Sequence, residues 1–252
     1  MTHVEYAEHG LLGVLTPQAN TTVEPEMAIL TPPGWGVLNA RLTSDKPTIH
    51  ARLVDYFDHY GDALTQFANA PLTAAGFACT GASYLAGVRR EDETLTTLTE
   101  RLGAPVVTAA TAVLDSLAAL GAKKIALVSP YDEALDDASV AYWTARGLDV
   151  VARFSAFRQS DAFHPIYSLA ASASQEGVEK VKGSGAEAIV MLGTGMPTLR
   201  AIADAPLDGP PLLSCMFSLA WRLMNAPTEA SLRAMLADTG WRARLAAIDG
   251  KG

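Results

Sequence analysis

The sequence predicts an α/β protein made of two pseudo-symmetric, doubly wound parallel-sheet domains that face each other across one cleft. Three observations carry that reading. Short apolar runs alternate with helical stretches rich in Ala and Leu, the runs stop at residues that end strands, and two patterns recur at matching spacing.

The apolar runs are LLGVL at 11–15, AAGFA at 74–78, IALV at 125–128 and AIVML at 188–192. Gly, Pro, Ser or Thr closes each one, as in buried strands that lead into loops. The clearest helix is TAATAVLDSLAALGAKK at 108–124, with apolar residues spaced by three and four and Gly121 as its stop. VEKVKGSGAEA reads as a helix end, a Gly-containing turn and the start of the next strand. The repeat joins these pieces into two units. GVLTPQAN at 13–20 parallels ALVSPYDE at 126–133, and AGFACTGASYL parallels AIVMLGTGMPTL. The spacing from Thr16 to Cys79 is matched within one residue by that from Ser129 to Gly193. Two copies of one unit place a first domain at 1–113, joined by the C-terminal segment 225–252, and a second at 114–224. Ligands of open α/β sheets bind beyond the carboxyl ends of the strands. The shared cleft should therefore have Cys79 on one wall and Gly193 on the other.

Composition narrows the function classes. The chain has 252 residues, 49% of them hydrophobic and 18% charged, enough to bury a core in one large or two small domains. A net charge of −8 without a basic run argues against nucleic acid, whose phosphates need clustered Lys and Arg. No apolar stretch approaches the roughly 18 residues that span a bilayer. The polar, acidic start MTHVEYAEHG does not read as a secretory signal, so no membrane partner is expected. Two cysteines make no disulfide framework, and reduced thiols in a cytoplasmic protein are expected. There is no Walker loop and no dinucleotide fingerprint, and Gly183-Ser184-Gly185 precedes a strand instead of following one. His50 and His59 flank RLVDYFDHY, whose Asp55 and Asp58 suit a solvated helix face better than a metal site. No cofactor is expected, which leaves the chemistry to side chains and backbone dipoles.

Four segments carry a family resemblance. GVLTPQANTTVEPEM follows the pattern of a strand, then T-P-x-x-N-T-T-x-E-P-E. ACTGASY at 78–84 has the form of a loop bearing a first catalytic cysteine, and VSPY that of a second-domain opening. AIVMLGTGMPTL corresponds to the segment that normally bears a second cysteine. Over roughly residues 10 to 225 the chain resembles the aspartate/glutamate racemase superfamily, in its branch of maleate cis–trans isomerases and arylmalonate decarboxylases. The resemblance implies two pseudo-symmetric domains, an interdomain site, and a small carboxylate as substrate. It implies Cys79 as nucleophile or proton carrier and Asn20 as a carboxylate ligand. Thr80 and Gly81 would supply N–H groups, Tyr131 a hydroxyl, and Gly193 and Thr194 N–H groups from the opposite loop. Two departures stand out. Gly193 occupies the place of the second cysteine, and SDAFHPIY at 160–167 replaces a segment with another carboxylate-binding Asn.

The residues themselves allow plainer readings. A thiol titrates near working pH and suits proton transfer, yet a lone cysteine is often only a small buried hydrophobe. Position, repeat and resemblance together assign Cys79 to catalysis. Cys215, in PLLSCMFSL, reads as core packing, at a strand end that also faces the cleft. Asn20 reads as a helix cap, a carboxylate holder, or both. Glu24-Pro25-Glu26 reads as a helix start. Tyr131 is either a loop aromatic or a hydroxyl donor, and the resemblance favours the site. His164, before Pro165, is a surface or packing histidine or a substrate-selecting one. The pocket walls are expected from PPGWGVLNARL at 32–42 and from the FHPIY loop.

One thiol disfavours two-base racemisation. Cis–trans isomerisation by thiolate addition to a double bond ranks first. Malonate-type decarboxylation ranks second, with Cys79 as single proton donor and loop N–H groups holding the enediolate. A non-catalytic carboxylate binder ranks third. Oligomeric state, homo-oligomerisation included, is left open.

Overall fold

The chain builds two four-stranded parallel sheets in a computed structural model that describes residues 4–159 and 165–248. The first unit runs β1 (Gly10–Pro17), α1 (Val23–Leu30), β2 (Trp35–Leu42), α2 (Ile49–Asp58), α3 (Tyr60–Leu64), β3 (Ala74–Phe77), α4 (Thr80–Ala86), α5 (Val88–Leu102), β4 (Val106–Thr108) and α6 (Ala109–Leu120). The second runs β5 (Lys124–Ser129), α7 (Glu133–Ala145), β6 (Asp149–Ser155), α8 (Ala171–Val181), β7 (Ala188–Met191), α9 (Leu199–Asp204), β8 (Leu212–Ser214) and α10 (Cys215–Met224). Helices α11 (Glu229–Ala237) and α12 (Thr239–Ile248) close the described chain.

The sheet orders are β2-β1-β3-β4 and β6-β5-β7-β8, one topology used twice, as the repeat predicts. The four strands named from the sequence are β1, β3, β5 and β7. They occupy the two central positions of each sheet and are buried almost throughout. A strand covered by helices on both faces must be apolar along its whole length, which makes it readable as a continuous run.

The predicted helix at 108–124 divides on inspection into three parts. Thr108 ends β4, α6 covers Ala109–Leu120, and Lys124 opens β5. Thr108 caps α6 by accepting from the Thr111 N–H at 3.0 Å, and Gly121 ends it in the left-handed conformation.

Helix α10 continues from β8 of the second sheet but packs on β3 of the first. A Cβ on Gly76 would stand 2.9 Å from Leu219 Cδ1, so glycine there lets α10 pack close without displacing the leucine. Buried polar ties also cross between the units. Thr22 Oγ donates to the Gly195 carbonyl (2.9 Å), and Thr194 Oγ to the Ala78 carbonyl (2.7 Å). Glu91 of α5 meets Arg146 at the end of α7 (2.8 Å). Among the described residues, no helix is long and apolar enough to cross a membrane.

Candidate functional site

The carboxyl ends of β1, β3, β5 and β7 converge where the units meet. Beyond β3, the Ala78 N–H bonds the Leu15 carbonyl at 2.9 Å; beyond β7, the Leu192 N–H bonds the Val128 carbonyl at 2.7 Å. These bonds carry each central strand one residue further, in the same way. The next residues are Cys79 and Gly193, so the folded chain makes them counterparts, as the repeat predicts.

Both line a cavity of about 30 Å³ together with Thr80, Gly81, Tyr131 and Thr194. Six of the seven site residues expected from the sequence are thus assembled around one space. Its remaining walls come from Pro17, Ile49, Leu53, Leu135, Ile166, Tyr167 and Gly195. The FHPIY loop does contribute, through Ile166 and Tyr167; His164 lies outside the described residues. The segment 32–42 does not line this cavity. Its Arg41 and Leu42 border a separate groove of about 710 Å³ with Gln18, Asp55 and His59. Helix α2 takes the expected place through Ile49 and Leu53, one helical turn apart on one face. That face was not singled out beforehand, because the polar residues between its apolar positions mask it.

Asn20 lies behind the cavity wall. Its Oδ1 accepts from the N–H groups of Thr22 (2.9 Å) and Val23 (3.2 Å), and its Nδ2 donates to Thr194 Oγ (3.2 Å). The side chain both holds the turn leading into α1, whose N-cap is Thr22, and reaches across to the opposite loop. Glu26 does similar work deeper in. Buried in α1, it accepts from the N–H groups of Thr198 (2.7 Å) and Leu199 (3.4 Å), which open α9 of the second unit. Glu24 of the same motif forms an ion pair with Arg41.

Burial pushes the Glu26 carboxyl up to about 7, and the α9 N–H groups only partly offset it. The folded state holds this proton more tightly than the unfolded chain. The group's contribution is therefore fully present below pH 4.5 and is lost as pH rises through about 7. Urea unfolding across that range should show stability from this source declining with pH. Glu26→Gln, which keeps a carbonyl acceptor, should flatten the decline. Parallel pH profiles for the two proteins would contradict the assignment.

Cys79 is 4% exposed and holds the N-cap position of α4. Burial pushes its thiol up to about 12, opposed only by the Ala82 N–H. In the closed cavity it is a neutral S–H. Tyr131 OH and Thr80 Oγ bond at 2.8 Å, across the cleft.

The sequence reading placed Cys215 in the core, and it is fully buried. Its sulfur nevertheless adjoins the site. Burial pushes its thiol up to about 12, and the nearby Thr80 side chain and Gly193 N–H act in the opposite direction. Strand β8 lies next to β7, and this adjacency brings the first residue of α10 behind Gly193.

Gly193 adopts φ +79°, and a Cβ there would stand 2.6 Å from Pro130 Cγ. Gly193→Ala should cost about 1–3 kcal/mol in urea unfolding, from backbone strain and this clash. An unchanged unfolding midpoint would contradict the close packing described.

A cysteine at a strand end, in a cleft between two like α/β units, defines a class of two-unit enzymes. The solved structures similar to this one have the same architecture. The maleate isomerase Iso from Pseudomonas putida S16 matches with a TM-score of 0.76 at 22% identity, over 85% of this chain and 91% of its own. A Nocardia farcinica maleate cis–trans isomerase variant with a covalently bound succinylcysteine intermediate matches at 0.73 and 22%, over 89% and 98%. An arylmalonate decarboxylase matches at 0.66 and 18%, over 86% and 93%. In sequence, the maleate isomerase of Geobacillus stearothermophilus is 26% identical over 248 residues, 87% of this chain and 92% of that protein. The arylmalonate decarboxylase family model matches residues 12–224. The chain belongs to the arylmalonate decarboxylase family, in the branch to which its motifs point.

Proposed function

We propose that the protein is a cofactor-independent isomerase that acts on a small unsaturated dicarboxylate through Cys79. The observation that carries this is the placement of one cavity-lining thiol between two loops, with Gly193 as its counterpart. The Cys79 thiolate adds to one alkene carbon, and the π electrons pass to the neighbouring carbon and its carboxylate. A proton closes that carbon, and the former double bond rotates. Removal of a proton then expels the thiolate and leaves the trans alkene. The N–H groups of Thr80, Gly81, Gly193 and Thr194 are the candidate holders of the carboxylates. Asn20 acts by fixing the Thr194 loop.

The present cavity has room for about a water molecule. Substrate binding must therefore move the walls, and α2 and the Ile166–Tyr167 turn are the elements facing it. The same admission brings polar groups and water to Cys79, relieving the burial that holds its thiol neutral.

That neutral thiol favours a second reading. A protonated Cys79 is poised to donate to an enediolate, as single-donor decarboxylation of a disubstituted malonate requires. Incubation with maleate and with phenylmalonate separates the two: fumarate formation supports the isomerase, and CO₂ release the decarboxylase. Neither product, with carboxylate binding retained, would leave a binding protein. The two cysteines are unpaired; with the free Cys79 thiol that the mechanism needs, this supports a reducing, cytoplasmic setting.

A further inference from the structure

We infer that His50 and Asp132 form a clasp that holds the empty cavity shut, and that a substrate must undo it to reach Cys79. The inference rests on the reading of Cys79 as the working thiol and names what controls access to it.

Two helices from different units roof the cavity. Ile49 and Leu53 of α2 line it, and so does Leu135 of α7. A Cβ on Gly81 would stand 2.9 Å from Leu53 Cδ1 and 3.5 Å from Leu135 Cδ2. Side chains of α2 and α7 therefore meet over the loop that follows Cys79. The clasp lies on the same two helices. His50, next to Ile49, reaches Asp132, next to Tyr131, and its Nε2 lies 3.2 Å from both carboxylate oxygens. The carboxylate accepts, so Nε2 carries the proton. Asp132 is fixed on its own side as the N-cap of α7, where Oδ1 accepts from the Leu135 N–H at 3.0 Å. That bond ties the clasp to one roof leucine. The other, Leu53, stands one helical turn beyond His50 on α2.

The clasped state cannot be the state that holds substrate. A cavity of about 30 Å³ has room for about a water molecule, and maleate does not fit. Moving α2 away from α7 lifts Leu53 off Gly81 and separates His50 from Asp132 in one motion. The pair thus stabilises the closed, empty site and contributes nothing to the open, occupied one. Its side chains are 37% and 38% exposed, so water replaces the lost partners and the opening is reversible. A contact made only in the state that excludes ligand weakens apparent affinity in proportion to the closed fraction. It also keeps the thiol from stray electrophiles while the site is empty.

The test uses the full-length protein with His50→Ala, Asp132→Ser and the two combined. Serine keeps a cap for α7 but is too short to reach His50. Alkylation by iodoacetamide, followed by peptide mass spectrometry, reads the opening at Cys79. Cys215, fully buried and outside the cavity lining, reads any loosening of the whole protein. Each single variant should speed Cys79 alkylation by roughly three- to fivefold, the scale of a partly exposed ion pair. Cys215 should stay as slow as in wild type. The combined variant should match the single ones, because either change removes the same contact. In maleate turnover, KM should fall by the same factor while kcat stays within about twofold.

Wild-type alkylation rates in the single variants would overturn the clasp, as would Cys79 and Cys215 accelerating together. So would a combined effect equal to the product of the single ones, or a KM that is unchanged or raised. A wild type that makes no fumarate would remove the isomerase reading alone, and the alkylation rates would still judge the clasp.

Discussion

Cys79→Ala should leave the protein folded and reduce turnover of its substrate by about 10³-fold or more. The size follows from the chemistry: among the described residues, no other thiol lines the cavity where the sulfur–carbon bond must form. Tyr131 and Thr80 supply hydroxyls, but both are engaged with each other, and burial holds the Tyr131 hydroxyl well above its usual range. Neither can replace a thiolate. The structural cost should be small, since Ala fills most of the volume of a buried Cys and the sulfur's one polar neighbour is the Ala82 N–H. Turnover of maleate and of phenylmalonate, measured beside the thermal midpoint, checks both halves. A well-folded variant that turned over either substrate at the wild-type rate would end the case for a cysteine-dependent reaction.

Arg146→Ala should lower the unfolding free energy by about 3–5 kcal/mol, the cost of stranding a buried charge. Glu91 is completely buried in α5, and Arg146 reaches it from the end of α7 at 2.8 Å. The same guanidinium grips Asp92 at 2.7 and 2.9 Å. Tyr142 OH (2.5 Å) and Thr108 Oγ (2.7 Å) also donate to Glu91, but hydroxyls do not neutralise a carboxylate. Without Arg146 the charge stays inside, between the two units. Glu91→Gln in the same background should recover part of the loss, because it removes the charge that Arg146 served. Arg146→Lys should not restore wild-type stability, since an ammonium cannot span both carboxylates as the planar fork does. Urea unfolding of the three variants measures this, and a loss below about 1 kcal/mol for Arg146→Ala would contradict it. The unit-to-unit seam is also what aligns the Cys79 and Gly193 loops, so activity should fall before global unfolding begins.

Which elements were legible beforehand follows from where they sit. The four strands read from the sequence are the central ones. The edge strands β2 and β6 have one side open to solvent, so polar residues interrupt them: Asn39 and Arg41 in WGVLNARL, Asp149 and Arg153 in DVVARFS. Strand β4 is only three residues long and runs straight into α6, whose helical pattern absorbed it. Asn20 was recognised as both cap and ligand candidate. The fold uses its Oδ1 to hold the turn into α1 and its Nδ2 to bond the cavity-lining Thr194.

Local sequence determined the position of Cys79. A short apolar run followed by C-T-G puts a thiol at a strand's carboxyl end, and the internal repeat names Gly193 as its counterpart. Those are properties of neighbouring residues, set by strand periodicity and turn chemistry. What surrounds the thiol was decided by packing between segments far apart in the chain. Ile49, Leu53 and Tyr167 became walls because α2 and the 166–168 turn close over the strand ends. Cys215 became a neighbour of Thr80 and Gly193 because β8 pairs with β7 and α10 crosses to the first sheet. No spacing within the sequence encodes that adjacency; it arises when two units bury their facing surfaces together.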